Sequence, residues 1–107
     1  MSETNIIRDT LAEELARNER SQSAYAREIA ALPRGSVAVK MRRGRPYCYL
    51  KFRDGDKVVT EYVGSEGKVG DELRRKVERR RSLEAVLRRL KREHAFIEKA
   101  LGRNREA

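Results

Sequence analysis

Residues 44–64 constrain the fold of this chain most, because their side chains alternate in character and an Asp-Gly pair divides them. On an extended strand, every second side chain points to the same face. One face therefore carries tyrosines and cations, namely Tyr47, Tyr49, Lys51 and Arg53. The opposite face carries apolar side chains, namely Cys48, Leu50 and Phe52. Since Asp54-Gly55 is a strong signal for a two-residue turn, this stretch predicts a β-hairpin with one apolar face.

A further strand is expected before this hairpin, because residues 36–42 alternate again between apolar and polar positions. Arg43-Gly44-Arg45 supplies a turn, and Pro46 stands where a strand begins, a position that tolerates proline. The last strand is expected over residues 57–63. The sequence therefore predicts a three-stranded antiparallel β-meander spanning residues 36–63.

An N-terminal helix is expected over residues 4–31, with Ser2 or Thr4 as its cap. Asn18 and Gln22 interrupt its apolar stripe, so that either the helix breaks there or both polar residues lie in a hydrated part of one helix; we expect one helix. The segment 32–36, Leu-Pro-Arg-Gly-Ser, ends it. The stripe consists of Leu11, Leu15, Tyr25, Ile29 and Leu32.

A long C-terminal helix is expected over residues 70–102, followed by a tail over residues 103–107, because the segment is rich in Leu, Arg, Glu and Lys. Lys76, Arg80 and His94 interrupt its coiled-coil seam. We expect one α+β domain over residues 1–107, in which the two long helices pair antiparallel with the meander between them in sequence. The seam consists of Leu73, Leu83, Leu87, Leu90, Ile97 and Leu101.

The charge of the chain is unevenly distributed. Its 26 Lys and Arg exceed its 17 Asp and Glu, which gives a formal net charge of +9. Four arginines and six acids lie in residues 1–33, so the excess of positive charge lies entirely in the rest of the chain. A basic bias confined to one part of a chain predicts a surface for an anionic partner such as nucleic acid.

Several classes of function are not expected. No apolar run approaches the length of a membrane span, so we expect a cytoplasmic protein that contacts no membrane. A single cysteine, Cys48, and a single histidine, His94, are too few for a structural zinc site, and we expect neither metal nor cofactor. They are also far apart in the predicted fold and lack a third orienting group for nucleophilic catalysis. We therefore expect no enzymatic activity and no small-molecule substrate.

The motifs along residues 32–90 resemble those of a family of small prokaryotic and phage-borne proteins whose function is not characterised. The shared pattern includes Leu-Pro-Arg-Gly-Ser at 32–36, Tyr49-Leu50, Arg53-Asp54-Gly55, Tyr62-Val63-Gly64 and the charged run at 78–84. Cys48 stands where the family usually has an aromatic residue. The basic hairpin is also similar to one near the start of some transposases, and phage integrase arms bind DNA through three-stranded sheets. These resemblances imply the same fold and a DNA-handling or mobile-element context.

The candidate contacts to nucleic acid lie in three groups. Aromatic rings can stack on bases, and Arg or Lys can bind phosphates or guanine edges. The hairpin cations are Lys40, Arg42, Arg43 and Arg45; the strand face carries Tyr47, Tyr49, Lys51 and Arg53; the helical row includes Arg74, Arg81 and Arg88. Alternatively, the tyrosines pack under a helix, the hairpin is a charged edge that resists aggregation, and the helical row is solvated.

Two functions are consistent with these features. The first is a small basic protein that binds nucleic acid, DNA rather than RNA. The second is a protein–protein interaction module, in which the long helices form a homodimer or bind a partner protein, as in a phage-type inhibitor.

Overall fold

The computed structural model describes residues 3–102, and its elements follow the predicted order. The helices are α1 (Glu3–Ala30) and α2 (Lys68–Leu101), and the strands are β1 (Ser36–Arg42), β2 (Arg45–Asp54) and β3 (Lys57–Ser65). The α+β class and the antiparallel meander are thereby confirmed. The predicted cap at Ser2 and the predicted tail at 103–107 lie outside the described residues.

Contacts divide the chain into two units. The helical unit contains α1 up to Ile29 together with α2 from Leu83 onwards, and the sheet unit spans Ala30–Ser82. The sheet unit therefore contains the whole meander and the first half of α2. Each unit has its own buried side chains.

Two tight turns connect the strands. Between β1 and β2, Arg43 and Gly44 have φ values of 53° and 77°, and positive φ at both central positions is the mark of a type I′ turn. Between β2 and β3, the loop consists of Gly55 and Asp56, because Asp54 still pairs with Lys57. Gly55 has a φ of 62°, which suits the first position of a type II′ turn. The loop thus begins one residue later than the predicted Asp54-Gly55 pair.

The two faces of the sheet divide as predicted. Leu50 is buried with Leu73 and Val77 of α2, and the partly buried Val37 and Phe52 pack against this cluster. Cys48, on the same face, is fully buried, and its thiol lies 3.4 Å from the carbonyl oxygen of Gly64. The apolar face therefore packs on α2, and the face with the tyrosines points away from it.

The register between β2 and β3 contains a bulge. Cys48 pairs with Gly64, whereas the next residue, Tyr49, pairs with Tyr62, so that Val63 is the extra residue on β3. A bulge increases the local twist and re-aims neighbouring side chains. On the turn side of the bulge, Tyr62 lies directly across from Tyr49 on the same face of the sheet.

Within the helical unit, α1 and α2 run antiparallel and contact each other. Arg8 donates a hydrogen bond to the carbonyl oxygen of Leu101 at 3.3 Å, and Asn18 donates one to that of Leu90 at 2.9 Å. Helix α1 is continuous through its polar middle, where Gln22 donates a hydrogen bond to the side chain of Asn18 at 2.8 Å. Among the residues of this unit that the structure describes, the buried apolar side chains are Leu15, Ile29, Leu83 and Leu101.

His94, which interrupts the predicted seam of α2, is partly buried within the helical unit. Its Nε2 atom lies 3.7 Å from a carboxylate oxygen of Glu19 on α1 and 3.8 Å from one of Glu98 on α2. The imidazole therefore lies between two carboxylates at the contact between the helices.

Candidate nucleic-acid interface

Three tyrosines form a cluster on the face of the sheet that points away from α2. The ring of Tyr62 lies between the other two, with its centroid 6.0 Å from that of Tyr47 and 5.6 Å from that of Tyr49. The planes of Tyr47 and Tyr62 are tilted by 56°, and those of Tyr49 and Tyr62 meet at 65°, which is close to the edge-to-face geometry that aromatic pairs favour. We call this surface the tyrosine face; it comprises the side of β2 with Tyr47 and Tyr49 and the residues aligned with them on β1 and β3.

Cations border the tyrosine cluster at the turn between β1 and β2. Arg42 and Arg43 line, with the three tyrosines, an open depression of about 530 Å³. The ammonium group of Lys40 lies 5.0 Å from the centroid of the Tyr49 ring, within the range of a cation–π contact. Arg45 is exposed and pairs with Arg42 at the end of the two strands. All four predicted hairpin cations thus lie beside the tyrosine cluster or at the turn next to it.

A second basic depression lies at the other end of β2. Strand β1 begins with Ser36 opposite Lys51, so Phe52 and Arg53 of β2 extend past the end of β1 and do not pair with it. Lys51, Arg53 and Arg81 line the depression formed there, which has a volume of about 480 Å³. Arg81 also donates a hydrogen bond to the carbonyl oxygen of Gly35 at 3.2 Å. The structure thereby brings one member of the predicted helical row to the end of the sheet.

Arg74, a second member of that row, has carboxylate partners. Its guanidinium donates hydrogen bonds to both carboxylate oxygens of Glu66, at 2.5 and 3.3 Å, and lies 3.4 Å from Asp71. The hydrogen bond from Arg74 lowers the pKa of the Glu66 carboxyl below its usual value. Glu66 also accepts a hydrogen bond from the backbone N–H of Gly67, next to the start of α2. Arg74 therefore holds the segment before α2 rather than presenting a free guanidinium.

Arg88, the third predicted residue of the row, belongs to the helical unit and is exposed. The predicted residues are thus separated into a group at the tyrosine cluster, a group at the far end of β2, and two helical arginines. Only the first two groups lie beside the sheet.

Tyr62 is the residue of this site that the sequence prediction missed, although a signal for it was present. A two-residue loop at Asp54-Gly55 places Tyr62 opposite Tyr47, and the observed loop places it opposite Tyr49. Both registers put Tyr62 on the tyrosine face, because pairing preserves the side to which a residue points. Extending the alternation across the turn would therefore have identified the third ring.

The alternative in which the tyrosines pack under a helix does not fit the sheet unit. The side chains that meet α2 belong to the opposite face, with Leu50 at their centre. Tyr47 and Tyr49 are partly buried, and the rings they contact belong to Tyr62 rather than to a helix. The tyrosine cluster is therefore a feature of the outer face of the sheet.

Among residues 3–102, no three His, Cys, Asp or Glu side chains are close enough together to hold a metal ion. The same residues include no helix of the length and apolarity that crossing a membrane requires. The thiol of Cys48 is enclosed and lies within 3.6 Å of the carbonyl oxygens of Gly64 and Ser65, so it is placed as a packing group.

The fold and this face together define a class of small α+β protein. A meander that lies between two long helices in sequence carries tyrosines and arginines clustered on the face opposite its apolar side. The chain belongs to the family described as a domain of unknown function, DUF6788, whose model matches residues 4–75. That match covers α1, the whole sheet and the first turns of α2. Membership of a family without an assigned function, which the sequence motifs implied, is thereby confirmed. Comparisons with curated proteins and with solved structures gave no match.

Proposed function

We propose that this protein binds nucleic acid through the tyrosine face and has no catalytic activity. The observation that carries the proposal is that Tyr47, Tyr49 and Tyr62 share one open depression with Arg42 and Arg43. A depression lined by aromatic rings and arginines can contact both parts of a nucleic acid, because bases stack on the rings and phosphates bind the cations.

The charge distribution supports this choice of ligand. Basic side chains lie at both ends of β2, with Arg42, Arg43 and Arg45 near one turn and Lys51 and Arg53 at the other end. A span of eight residues along a strand is about 26 Å long, which is enough for several successive phosphates. The net charge of +9 attracts any polyanion to the protein before specific contacts form.

DNA is the favoured ligand over RNA, and a phage or mobile element the favoured context. Both rest on the resemblance of the basic hairpin to those of transposases and of the meander to the DNA-binding sheets of phage integrases. The family to which the chain belongs carries no assigned activity.

A binding screen tests the proposal. Labelled duplex DNA, single-stranded DNA, duplex RNA and single-stranded RNA are titrated with the protein by fluorescence anisotropy at low salt and again at physiological salt. We expect micromolar or tighter binding at low salt and a steep loss with added salt, because phosphate contacts release counterions. The absence of binding to all four probes at low salt would overturn the proposed function.

A second candidate function is self-association or binding of a partner protein through the long helices. Three large apolar side chains are exposed among the described residues of the helical unit: Ile6, Ile7 and Phe96. Phe96 is 72% exposed and lies with Ile97 and the side chains of Arg89 and Arg92 at a depression of about 330 Å³. Light scattering over a wide range of protein concentration tests this function, and a monomer throughout would exclude self-association.

A further inference from the structure

The three rings of the tyrosine face are not equivalent. Tyr62 is 60% exposed, whereas Tyr47 and Tyr49 are partly buried. The ammonium group of Lys40 lies over the ring of Tyr49. Among residues 3–102, no cation lies over the ring of Tyr62 in a comparable way. Tyr62 therefore presents the most accessible aromatic surface of the cluster.

The other two tyrosines support Tyr62. Both of their centroids lie within 6.0 Å of the Tyr62 centroid, in tilted contacts. Such contacts restrict the rotation of a side chain that would otherwise be free on the surface of an edge strand. A ring held in one orientation loses less conformational entropy when a flat ligand stacks on it.

A flat, accessible ring distinguishes between paired and unpaired nucleic acids. In a duplex, the faces of the bases are covered by their neighbours, and a protein reaches only base edges and the backbone. In a single strand, each base has a free face, and stacking on an aromatic side chain is the main source of affinity besides charge. Rings on the face of a β-sheet take two or three unpaired bases in known modes of recognition.

We propose that the tyrosine face binds an unpaired strand of nucleic acid, with Tyr62 as the principal stacking platform. This inference rests on the proposed function and names its substrate class. A base lies on the accessible ring of Tyr62, which Tyr47 and Tyr49 hold in place. The backbone is held by the cations at the two ends of β2, with Arg42 and Arg43 at one end and Lys51 and Arg53 at the other.

The test compares a fluorescein-labelled single strand of about 12 thymidines with a duplex of about the same length. For the wild-type protein we expect tighter binding of the single strand at equal salt. Tyr62→Ala is expected to weaken that binding about 5- to 150-fold, because it removes a stacked ring. Tyr62→Phe is expected to bind like the wild type, because it retains the ring.

A matched control is Phe96→Ala, which removes an even more exposed aromatic side chain that also lies beside arginines, in the helical unit. It is expected to leave single-strand binding unchanged. Because Tyr62 is well exposed, its replacement is not expected to unfold the protein, and circular dichroism verifies this. The chain has four tyrosines and no tryptophan, three of the tyrosines being on this face, so quenching of intrinsic fluorescence by unlabelled oligothymidine gives a second readout.

The outcomes separate the inference from the function on which it rests. Preference for the single strand, lost in Tyr62→Ala and kept in Tyr62→Phe, supports the inference. Equal or tighter binding of the duplex, or a Tyr62→Ala variant that binds the single strand like the wild type, overturns it while the proposed function stands. Failure to bind any probe overturns both.

Discussion

Asn18 donates a hydrogen bond of 2.9 Å from its side-chain amide to the backbone carbonyl oxygen of Leu90, across the contact between the two long helices. Asn18 is buried, with 6% of its surface exposed, and its own oxygen accepts a hydrogen bond from Gln22. A buried polar group of this kind is satisfied only in one alignment of the helices. The pair therefore fixes the register of α1 against α2 in the helical unit.

Replacement of Asn18 is expected to destabilise the helical unit in a graded way. Asn18→Ala removes the hydrogen bond and should cost about 1–2 kcal/mol. Asn18→Asp should cost more, about 2–4 kcal/mol, because it places a buried carboxylate opposite a carbonyl oxygen. Urea unfolding measures both costs. Ser23→Ala, at an exposed position of the same helix, serves as the control and should be nearly neutral. Equal stability of Asn18→Asp and the wild type would contradict this account.

Gly35 is expected to tolerate no side chain. Its φ is 115°, and a Cβ atom added to it would overlap the carbonyl oxygen of Lys51. Gly35→Ala therefore combines backbone strain with a clash against backbone, and we expect a loss of at least about 3 kcal/mol in the free energy of unfolding.

The matched control for Gly35→Ala is Gly67→Ala. Gly67 has a similar φ of 104°, but a Cβ atom there would meet no atom within 4 Å. This variant isolates the strain alone, which is about 1–3 kcal/mol. A smaller loss in Gly35→Ala than in Gly67→Ala, measured by chemical denaturation, would show that the contact with Lys51 does not limit this position.

The sheet could be predicted from the sequence because its determinants are local. Alternation assigns the side chains of the strands to a face as far as residue 62, before the bulge, and the glycines at 44 and 55 supply positive φ at the two turns. Cys48 and Leu50 alternate with the tyrosines along β2, so they point to the opposite face of the sheet, where they are buried. The helices could also be predicted from the sequence, since neither contains a proline and both carry apolar stripes.

The contacts that depend on register or on distant segments could not be predicted. The face on which Tyr62 lies could be predicted, but its position directly opposite Tyr49 depends on which two residues form the loop between β2 and β3. The partner of Arg74 is Glu66, which lies eight residues earlier and before α2 begins, so no helical spacing identifies it. A row of arginines on a helix therefore gives no indication of which guanidiniums already have partners.

The pairing of Glu66 with Arg74 predicts a pH-dependent contribution to stability. The hydrogen bond from Arg74 lowers the pKa of Glu66 in the folded protein, so protonation of this carboxyl favours the unfolded state. The stabilisation is present above the usual pKa of about 4.5 and is lost as the pH falls through the lower pKa of the folded state. Glu66→Gln should therefore melt below the wild type at neutral pH and together with it near pH 2.

Thermal melts of both proteins across this pH range measure the effect. Glu61→Gln, which alters an exposed carboxylate on β3, is the control and should show no such convergence. A difference between Glu66→Gln and the wild type that persisted unchanged at the lowest pH would mean that the carboxylate charge is not its source.

The arginines of the turn between β1 and β2 are expected to determine how strongly binding depends on salt. Arg42 and Arg43 border the tyrosine cluster and are exposed, so their replacement by Ala should weaken nucleic-acid binding without unfolding the sheet. Each phosphate contact on a single strand contributes about 0.7 to the slope of log K against log salt concentration. The double variant should therefore lower that slope by about 1.4 if both arginines contact phosphates.

The control for this prediction removes the same charge from another part of the chain. Arg17 and Arg20 are exposed on α1, and Arg17→Ala with Arg20→Ala also lowers the net charge by two. General attraction between a basic protein and a polyanion would be reduced equally in both double variants. Contact at the turn reduces the slope only in the first, because only those guanidiniums would release counterions from the bound strand. Equal slopes for the two double variants would therefore place the phosphate contacts away from this turn.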